Sequence, residues 1–191
     1  METMVRWEPN AQGRLGQAAL ELFVERGFEQ VTVAEIAERA GLTERTFFRY
    51  FADKREVLFA GAEGFQDLFV SAVAAAPADA APLDAMAEAL HAAAVLFTSH
   101  EPGVRRRAAI IGAHPDLRER ELIKLATVAR AVADALRARG VPAPAAARTA
   151  EAGLAVFRIA FERWIATPSG PDLAALIAES LDDLKSVASG K

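Results

Sequence analysis

The apolar positions of this 191-residue chain recur three and four residues apart along almost its whole length. That spacing marks one face of an α-helix, and no segment shows the alternation of a half-buried strand. The pattern predicts an all-α protein of about nine helices. The predicted helices cover residues 10–26, two short segments that begin at Val33 and Glu44, a long segment that begins at Lys54, and residues 83–99, 104–113, 116–139, 145–166 and 172–187.

Residues 32–43 contain the signals of two helix starts separated by a tight turn. Thr32 and Glu35 have the T-x-x-E spacing of a capping box, in which each side chain bonds the other residue's backbone amide. Thr43 is placed as the N-cap of the next helix, and Gly41 can take a positive φ in the turn. A second box, from Asp53 to residue 56, predicts the helix start near Lys54. These signals predict a helix-turn-helix, although an ordinary helical hairpin would carry the same ones.

The second helix of this pair, residues 44–51, has an unusual outward face. Phe47 and Phe51 are four residues apart and are predicted to face inward together. Arg45, Thr46, Phe48 and Arg49 then point outward. An aromatic side chain in a DNA groove can contact a thymine methyl group, and arginine can pair with guanine. This face therefore favours binding to the major groove.

The charge of this region is opposite to that of the whole chain. Residues 39–55 carry five basic and two acidic side chains, a local charge of +3, whereas the chain has a net charge of −4. A local positive surplus suits contact with phosphates. A solvated basic face is the alternative interpretation.

The segment from about Asn10 to Phe59 resembles the DNA-binding domain of the TetR family of transcriptional regulators. The family pattern is filled by Thr32, Ile36, Ala37, Ala40, Gly41, Leu42, Thr43, Thr46, Phe47, Phe48, Tyr50, Phe51, Lys54 and Val57. The resemblance implies a DNA-binding head over residues 1–53 and an effector-binding and dimerisation body over residues 54–191. It also implies DNA contacts from Thr32, Thr43, Arg45, Thr46, Phe48, Arg49, Tyr50 and Lys54.

Among these residues, Arg45, Thr46 and Phe48 are expected to approach base edges. The expected phosphate contacts come from Thr43, Arg49, Tyr50 and Lys54. One departure matters, because many family members carry tyrosine where this chain has Phe48. Phe48 has no hydroxyl group, so it cannot make the polar contact that a tyrosine could.

The resemblance further implies a small-molecule pocket in the body. The candidate lining residues are Phe65, Phe69, Met86, Leu90, Phe97, Ile110, Leu122 and Leu125, although a residue of this kind is more often plain core. The eleven phenylalanines favour an apolar ligand. The run Arg105–Arg107 reads as a solvated face, but an arginine that turned inward, with Arg106 as the candidate, could hold the anionic group of a fatty acyl compound.

Two apolar stripes on the last two helices predict the dimer interface. They comprise Leu154, Phe157, Phe161 and Trp164 on one helix, and Leu173, Ile177, Leu181 and Leu184 on the other. The family arrangement packs such helices against a second copy as a four-helix bundle. The alternative is that the stripes cap the core of a single protomer.

Other classes of protein have little support in the sequence. No cysteine is present, and His91, His100 and His114 contain no pair at the spacing of a helical metal site. No nucleophile elbow, phosphate loop or dinucleotide motif occurs, so we expect no enzyme, cofactor or metal. No signal-peptide pattern opens the chain, and no apolar run is expected to approach the roughly 18 residues of a membrane span. We therefore expect a cytoplasmic protein without a membrane partner.

The sequence thus predicts a ligand-responsive repressor that binds a palindromic DNA operator as a homodimer. A small apolar or acyl-type effector would release it. An activator of the same fold and a helical interaction module that does not bind DNA remain the alternatives.

Overall fold

The computed structural model describes residues 10–190, and within this range the chain forms nine α-helices and one short 3₁₀ helix. The first nine residues of the predicted head lie outside the described residues. The all-α prediction is confirmed. The helices are α1 Ala11–Arg26, α2 Val33–Arg39, α3 Glu44–Tyr50, the 3₁₀ helix Glu56–Phe59, α4 Ala62–Ala75, α5 Pro82–Ser99, α6 Glu101–Ala113, α7 Pro115–Ala138, α8 Ala143–Ala166 and α9 Leu173–Ala188.

The helix-turn-helix is built by the predicted caps. The Thr32 amide donates to the Glu35 carboxylate at 2.8 Å, and the Glu35 amide donates to the Thr32 hydroxyl at 3.3 Å. The Thr43 hydroxyl accepts from the Thr46 amide at 3.2 Å. Gly41 takes a φ of +66° in the turn. The predicted starts of α2 and α3 are therefore confirmed, and the capping geometry fixes how α3 is presented.

Two predicted helix starts need correction. Asp53 accepts from the Arg55 and Glu56 amides at 2.8 and 3.0 Å, but the Glu56 side chain turns away from this backbone and bonds Lys124. The chain therefore forms the 3₁₀ helix, and α4 begins at Ala62 rather than at Lys54. Helix α6 begins at Glu101 rather than at residue 104, because proline is tolerated in the first turn of a helix.

The structure has two apolar cores. The head core, formed by α1, α2, α3 and the 3₁₀ helix, is completed by Ile111 of α6 and Leu117 of α7, which are 1% and 0% exposed. The body core is formed by α4, α5, α7, α8 and α9. The corner between α6 and α7 thus belongs to the head core, although it lies more than fifty residues beyond the predicted domain boundary at residue 53.

Basic side chains donate hydrogen bonds to carbonyl groups at or just beyond the carboxyl ends of several helical segments. The carbonyl groups there lack helical partners and carry partial negative charge, so a cation stabilises them. Such contacts explain why five basic side chains are bonded to the backbone of other segments, which the sequence gave no reason to expect. The contacts are Arg14 with Ala40 O, Lys54 with Phe28 O (2.7 Å), Arg105 with Trp164 O (2.9 Å), Arg107 with Leu58 O (2.7 Å) and Arg139 with Ala76 O (2.8 Å).

One stretch of the described chain, Glu56–Ala75, has the length and composition that a membrane-crossing helix needs, with a mean hydropathy of 1.3. This corrects the expectation that no apolar run approaches that length. Its Val57 and Leu58 are buried in the head core, and its Phe69 and Val73 are buried in the body core. A core segment of a globular protein passes the same test.

The capping box makes the stability of the head dependent on pH. The hydrogen bonds from Thr32 and the pairing with Arg26 lower the pKa of Glu35 from 4.5 to about 2. Because the folded pKa lies below the unfolded value, this stabilisation is complete above pH 4.5 and is lost as the pH falls towards 2.

We expect the urea midpoint of the protein to fall between pH 5 and pH 2.5, and to fall less in the variant Glu35→Gln, which keeps a capping side chain but cannot titrate. The exposed Glu38 on the same helix gives the control variant Glu38→Gln. Identical pH profiles for the wild type and Glu35→Gln would contradict this assignment.

Candidate nucleic-acid interface

Helix α3 separates its aromatic side chains into a buried pair and an exposed pair. Phe47 and Phe51 are 0% and 4% exposed, and their ring centroids lie 5.3 Å apart in the head core. Phe48 and Tyr50 are 54% and 38% exposed. Phe48 rests edge-on against Phe47, with 5.5 Å between the centroids. The buried pair anchors the helix and leaves Phe48 projecting from the surface.

The polar residues of α3 differ in how much of their hydrogen-bonding capacity is in use. Arg45 is exposed and makes no hydrogen bond or ion pair with any residue from 10 to 190. Arg49 lies beside Tyr50, with its guanidinium carbon 4.9 Å from the ring centroid and Nη2 donating to the phenol oxygen at 3.3 Å. The Thr43 and Thr46 hydroxyl groups bond each other at 3.1 Å. Arg45 is therefore the basic side chain of α3 that is most available for a new partner.

The positive charge of this region is smaller at the surface than in the sequence. Arg39 forms a two-pronged ion pair with Glu25 at 2.9 and 2.8 Å, which raises the pKa of Arg39 and lowers that of Glu25. Arg55 pairs with Asp116 at 2.8 Å. These acidic partners lie on α1 and α7, outside the basic segment of residues 39–55. Arg45 and Arg49 are the two basic side chains on the face of α3 that have no acidic partner among the described residues.

Lys54, predicted as a phosphate contact, lies at the edge of the head core. Its ammonium group donates to the Phe28 carbonyl at 2.7 Å and lies 4.5 Å from the Phe28 ring centroid. The side chain is half-buried. This placement gives Lys54 a structural role, whether or not it also contacts a phosphate.

Lys54→Ala is therefore expected to lower the free energy of unfolding by about 1.5–3 kcal/mol, because a charged donor is removed from a carbonyl group. A phosphate contact would in addition flatten the dependence of DNA affinity on salt by about one unit of slope. Urea unfolding and binding titrations in a salt series separate the two roles, with the exposed neighbour Arg55→Ala as control. An unchanged unfolding energy would contradict the structural role.

The residues predicted to line a ligand pocket do not all come together. Phe65, Phe69, Met86, Leu90 and Phe97 lie in the body core or pack against it. The other four do not join them, and this corrects the predicted set. Ile110 packs against the head core, and Leu122 is 56% exposed. Leu125 is half-buried and does not pack against the body core, and Arg106 is exposed with its Nε bonded to Pro102 O at 3.0 Å.

The stripes predicted to form the dimer interface lie mainly inside the protomer. Helices α8 and α9 pack against each other and against α5 and α7, so their apolar faces close the body core. This corrects the assignment of the fully buried side chains to a contact with a second copy, whereas Phe161 and Leu184 stay predictions. The buried side chains are Leu154, Phe157, Trp164, Leu173, Ile177 and Leu181, and the half-buried ones that pack against them are Phe161 and Leu184.

A charged junction between the head and the body was missed in the sequence. The Glu56 carboxylate bonds Arg120 and Lys124 of α7, and Arg107 of α6 bonds Glu121 at 3.0 Å. Burial lowers the pKa of Arg107 against the opposing influence of Glu121. Arg120 and Lys124 are four residues apart, so the sequence alone indicates that they share one helix face. Their partner Glu56 lies more than sixty residues away in the chain, so the sequence does not indicate the pairing.

Two open surface grooves also lie outside the body core. One, of about 470 Å³, lies between α1 and α2, and the other, of about 560 Å³, lies between the 3₁₀ helix and α7 at the junction. Within residues 10–190 no group of three or more acidic, histidine or cysteine side chains is arranged to hold a metal ion.

Two family models match the chain. Residues 16–60 match the model described as "Bacterial regulatory proteins, tetR family", and residues 80–189 match the "MftR C-terminal domain". The second match alone covers more than half of the chain. This protein belongs to the TetR family of transcriptional regulators.

Individual similar proteins agree with the assignment of this chain to the TetR family. The HTH-type transcriptional regulator TcmR of Streptomyces glaucescens is 42% identical over 79 residues, which are 41% of this chain and 35% of TcmR, so the match spans about a third of the relative's length. A TetR-family regulator from Syntrophomonas wolfei has the same fold, with a TM-score of 0.69 and 16% identity over 94% of this chain and 95% of that one. The repressor FadR of Thermus thermophilus, solved with lauroyl-CoA, gives a TM-score of 0.58 and 22% identity over 90% and 91%.

Proposed function

We propose that this TetR-family regulator represses transcription by binding a palindromic operator as a homodimer, and that a small apolar or acyl-type effector releases it. The observation that carries the DNA-binding part is the outward face of α3, where Arg45 and Phe48 project from a helix anchored by Phe47. A side chain without partners in the protein can give its hydrogen bonds to a base edge at little cost. Thr43, Thr46, Arg49, Tyr50 and Thr32 would surround this contact.

Arg45→Ala is expected to reduce operator affinity by about 1–3 kcal/mol, a factor of roughly 5 to 150, and to relax the preference at one base position. The measurement is a gel shift or anisotropy titration with the wild-type operator and with single-base variants. Arg130→Ala, an exposed arginine on α7, is the control. An equal loss on the operator and on unrelated DNA would show that Arg45 contacts phosphate instead of a base.

The dimer would use the outward face of α8. The apolar stripe on its other side fills the protomer core, which leaves Ala152, Ala155 and Ile159, at helical spacing, facing away from that core. Ile159 is 47% exposed. Two copies are needed because one short recognition helix reads few bases, and the two heads would contact half-sites about 34 Å apart or a multiple of it.

The effector would enter the body among the phenylalanines. Phe65, Phe97 and Phe161 are half-buried, so the aromatic part of the core reaches the surface, and its rings meet at centroid distances of about 5 to 6 Å. The binding of lauroyl-CoA by FadR, a protein with the same fold, supports an acyl chain as the occupant. For release to follow, the effector must bind the conformation that fits DNA poorly more tightly than the one that fits it well.

A further inference from the structure

One charged side chain lies against the aromatic part of the body core. The guanidinium carbon of Arg105 lies 4.3 Å from the Trp164 ring centroid, and Trp164 continues into the phenylalanine cluster through Phe161, 6.0 Å away between centroids. The Arg105 side chain is 19% exposed. An apolar molecule inserted among these rings would therefore have one cation within reach of its end.

The hydrogen bonds of Arg105 leave room for an anion. Its Nη1 donates to the Trp164 and Ile165 carbonyls at 2.9 and 3.1 Å, which fixes the guanidinium against the end of α8. Its Nε donates to the Glu101 carboxylate at 2.7 Å. Its Nη2 makes no hydrogen bond with the described residues. The Nε and Nη2 edge is the fork that binds a carboxylate through two parallel bonds, and Glu101 occupies one half of it.

Glu101 is suited to give up this position. It lies one helical turn before Arg105 on α6, and its side chain is 38% exposed. Once displaced, its carboxylate can be solvated by water, whereas Arg105 keeps its two carbonyl contacts and remains in place. Exchange of one carboxylate for another leaves the charge balance around the guanidinium unchanged.

We propose that Arg105 is the anchor for an effector consisting of a long apolar chain that ends in an anionic group, which displaces Glu101. The chain lies among Phe65, Phe97, Phe161 and Trp164. This inference rests on the proposed effector function and adds the charge of the ligand and the residue that recognises it. A free fatty acid and an acyl-CoA both provide such an anion, as a carboxylate and as phosphates. Each further buried methylene is expected to tighten binding by about fourfold.

The test uses the full chain and three ligands with the same twelve-carbon chain: laurate, lauroyl-CoA and neutral 1-dodecanol, titrated below their micelle concentrations by calorimetry. We expect at least one of the anionic ligands to bind ten times more tightly than dodecanol. Arg105→Gln should remove this advantage and leave the affinity for dodecanol unchanged. Whichever anionic ligand loses affinity in Arg105→Gln identifies the anion as carboxylate or phosphate.

Two further variants provide a control and an independent test of the Arg105 anchor. Arg106→Gln changes the neighbouring exposed arginine and should leave all three affinities as in the wild type. Glu101→Gln removes the competing carboxylate but keeps Arg105, and should tighten the anionic ligand several-fold even if Arg105→Gln fails to fold. Failure to tighten, or equal losses in Arg105→Gln and Arg106→Gln, would overturn the proposal.

The ligand series also separates this inference from the proposed function. If dodecanol and the anionic ligands bind equally well and each releases the operator, an apolar effector is supported and the Arg105 anchor is overturned. If none of the three ligands binds, both the anchor and the acyl-type effector are overturned. Operator binding by the same preparation then shows whether the DNA-binding part of the proposal still stands.

Discussion

Phe47→Ala is expected to destabilise the head by about 3–5 kcal/mol, the usual cost of emptying a fully buried phenylalanine site. Phe47 is 0% exposed and touches the rings of both Phe48 and Phe51. Helix α3 has only seven residues, so tertiary packing must supply most of its stability. We therefore expect a lower urea midpoint together with loss of operator binding at temperatures where the wild type binds.

Phe48→Ala is the matched control for this experiment, because it removes the same side chain from the next position, where it is 54% exposed. Its unfolding energy should stay within about 0.5 kcal/mol of the wild type, as for most surface substitutions. Its operator affinity should still fall if Phe48 contacts a thymine methyl group. Equal destabilisation by the two variants would refute the division of α3 into an anchoring face and a reading face.

Ile159→Glu is expected to weaken the proposed homodimer by about 3–5 kcal/mol, because an unpaired carboxylate would be buried in the contact. By two-fold symmetry each substitution occurs twice in one interface, so operator affinity should fall more than a hundredfold. Sedimentation over a concentration series measures the association, and a gel shift measures the operator. The dissociated protomer should remain folded, with the helical circular dichroism of the wild type, since Ile159 is 47% exposed and lies outside the body core.

The control is Ile123→Glu, which places the same change on an isoleucine of α7 that is 59% exposed. It should leave sedimentation unchanged. If Ile123→Glu dissociates the protein and Ile159→Glu does not, the contact between copies involves α7 rather than α8. If the wild type sediments as a single 20.4 kDa species, the homodimer itself is refuted.

Local signals in the sequence were reliable for the head. The capping box at Thr32, the cap at Thr43 and the glycine turn act within a few residues, so their geometry follows from spacing alone. The second box, at Asp53, gave a wrong prediction because the Glu56 carboxylate bonds Lys124 instead of the nearby backbone. Lys124 is distant in the sequence, so short-range spacing does not reveal this partner. The phosphate assignment of Lys54 meets the same difficulty, since Phe28 accepts its hydrogen bond.

For the body, periodicity showed which faces are apolar but not what covers them. Leu173 and Trp164 were placed correctly on the apolar faces of their helices, yet the same pattern serves a contact with a second copy or with α5 and α7 of one protomer. The run Arg105–Arg107 illustrates a similar limit. Three adjacent arginines on one helix point in different directions, and only the fold shows that Arg105 meets Trp164 whereas Arg106 faces solvent.

The placement of Ile111 and Leu117 in the head core bears on how this protein can be engineered. A fragment that stops near residue 60 would lack these two side chains and would expose the apolar surface that they cover. The head is therefore not expected to fold as an independent domain. A chimaera that grafts it onto another sensor body must also carry the α6–α7 corner, or redesign the surface beneath it.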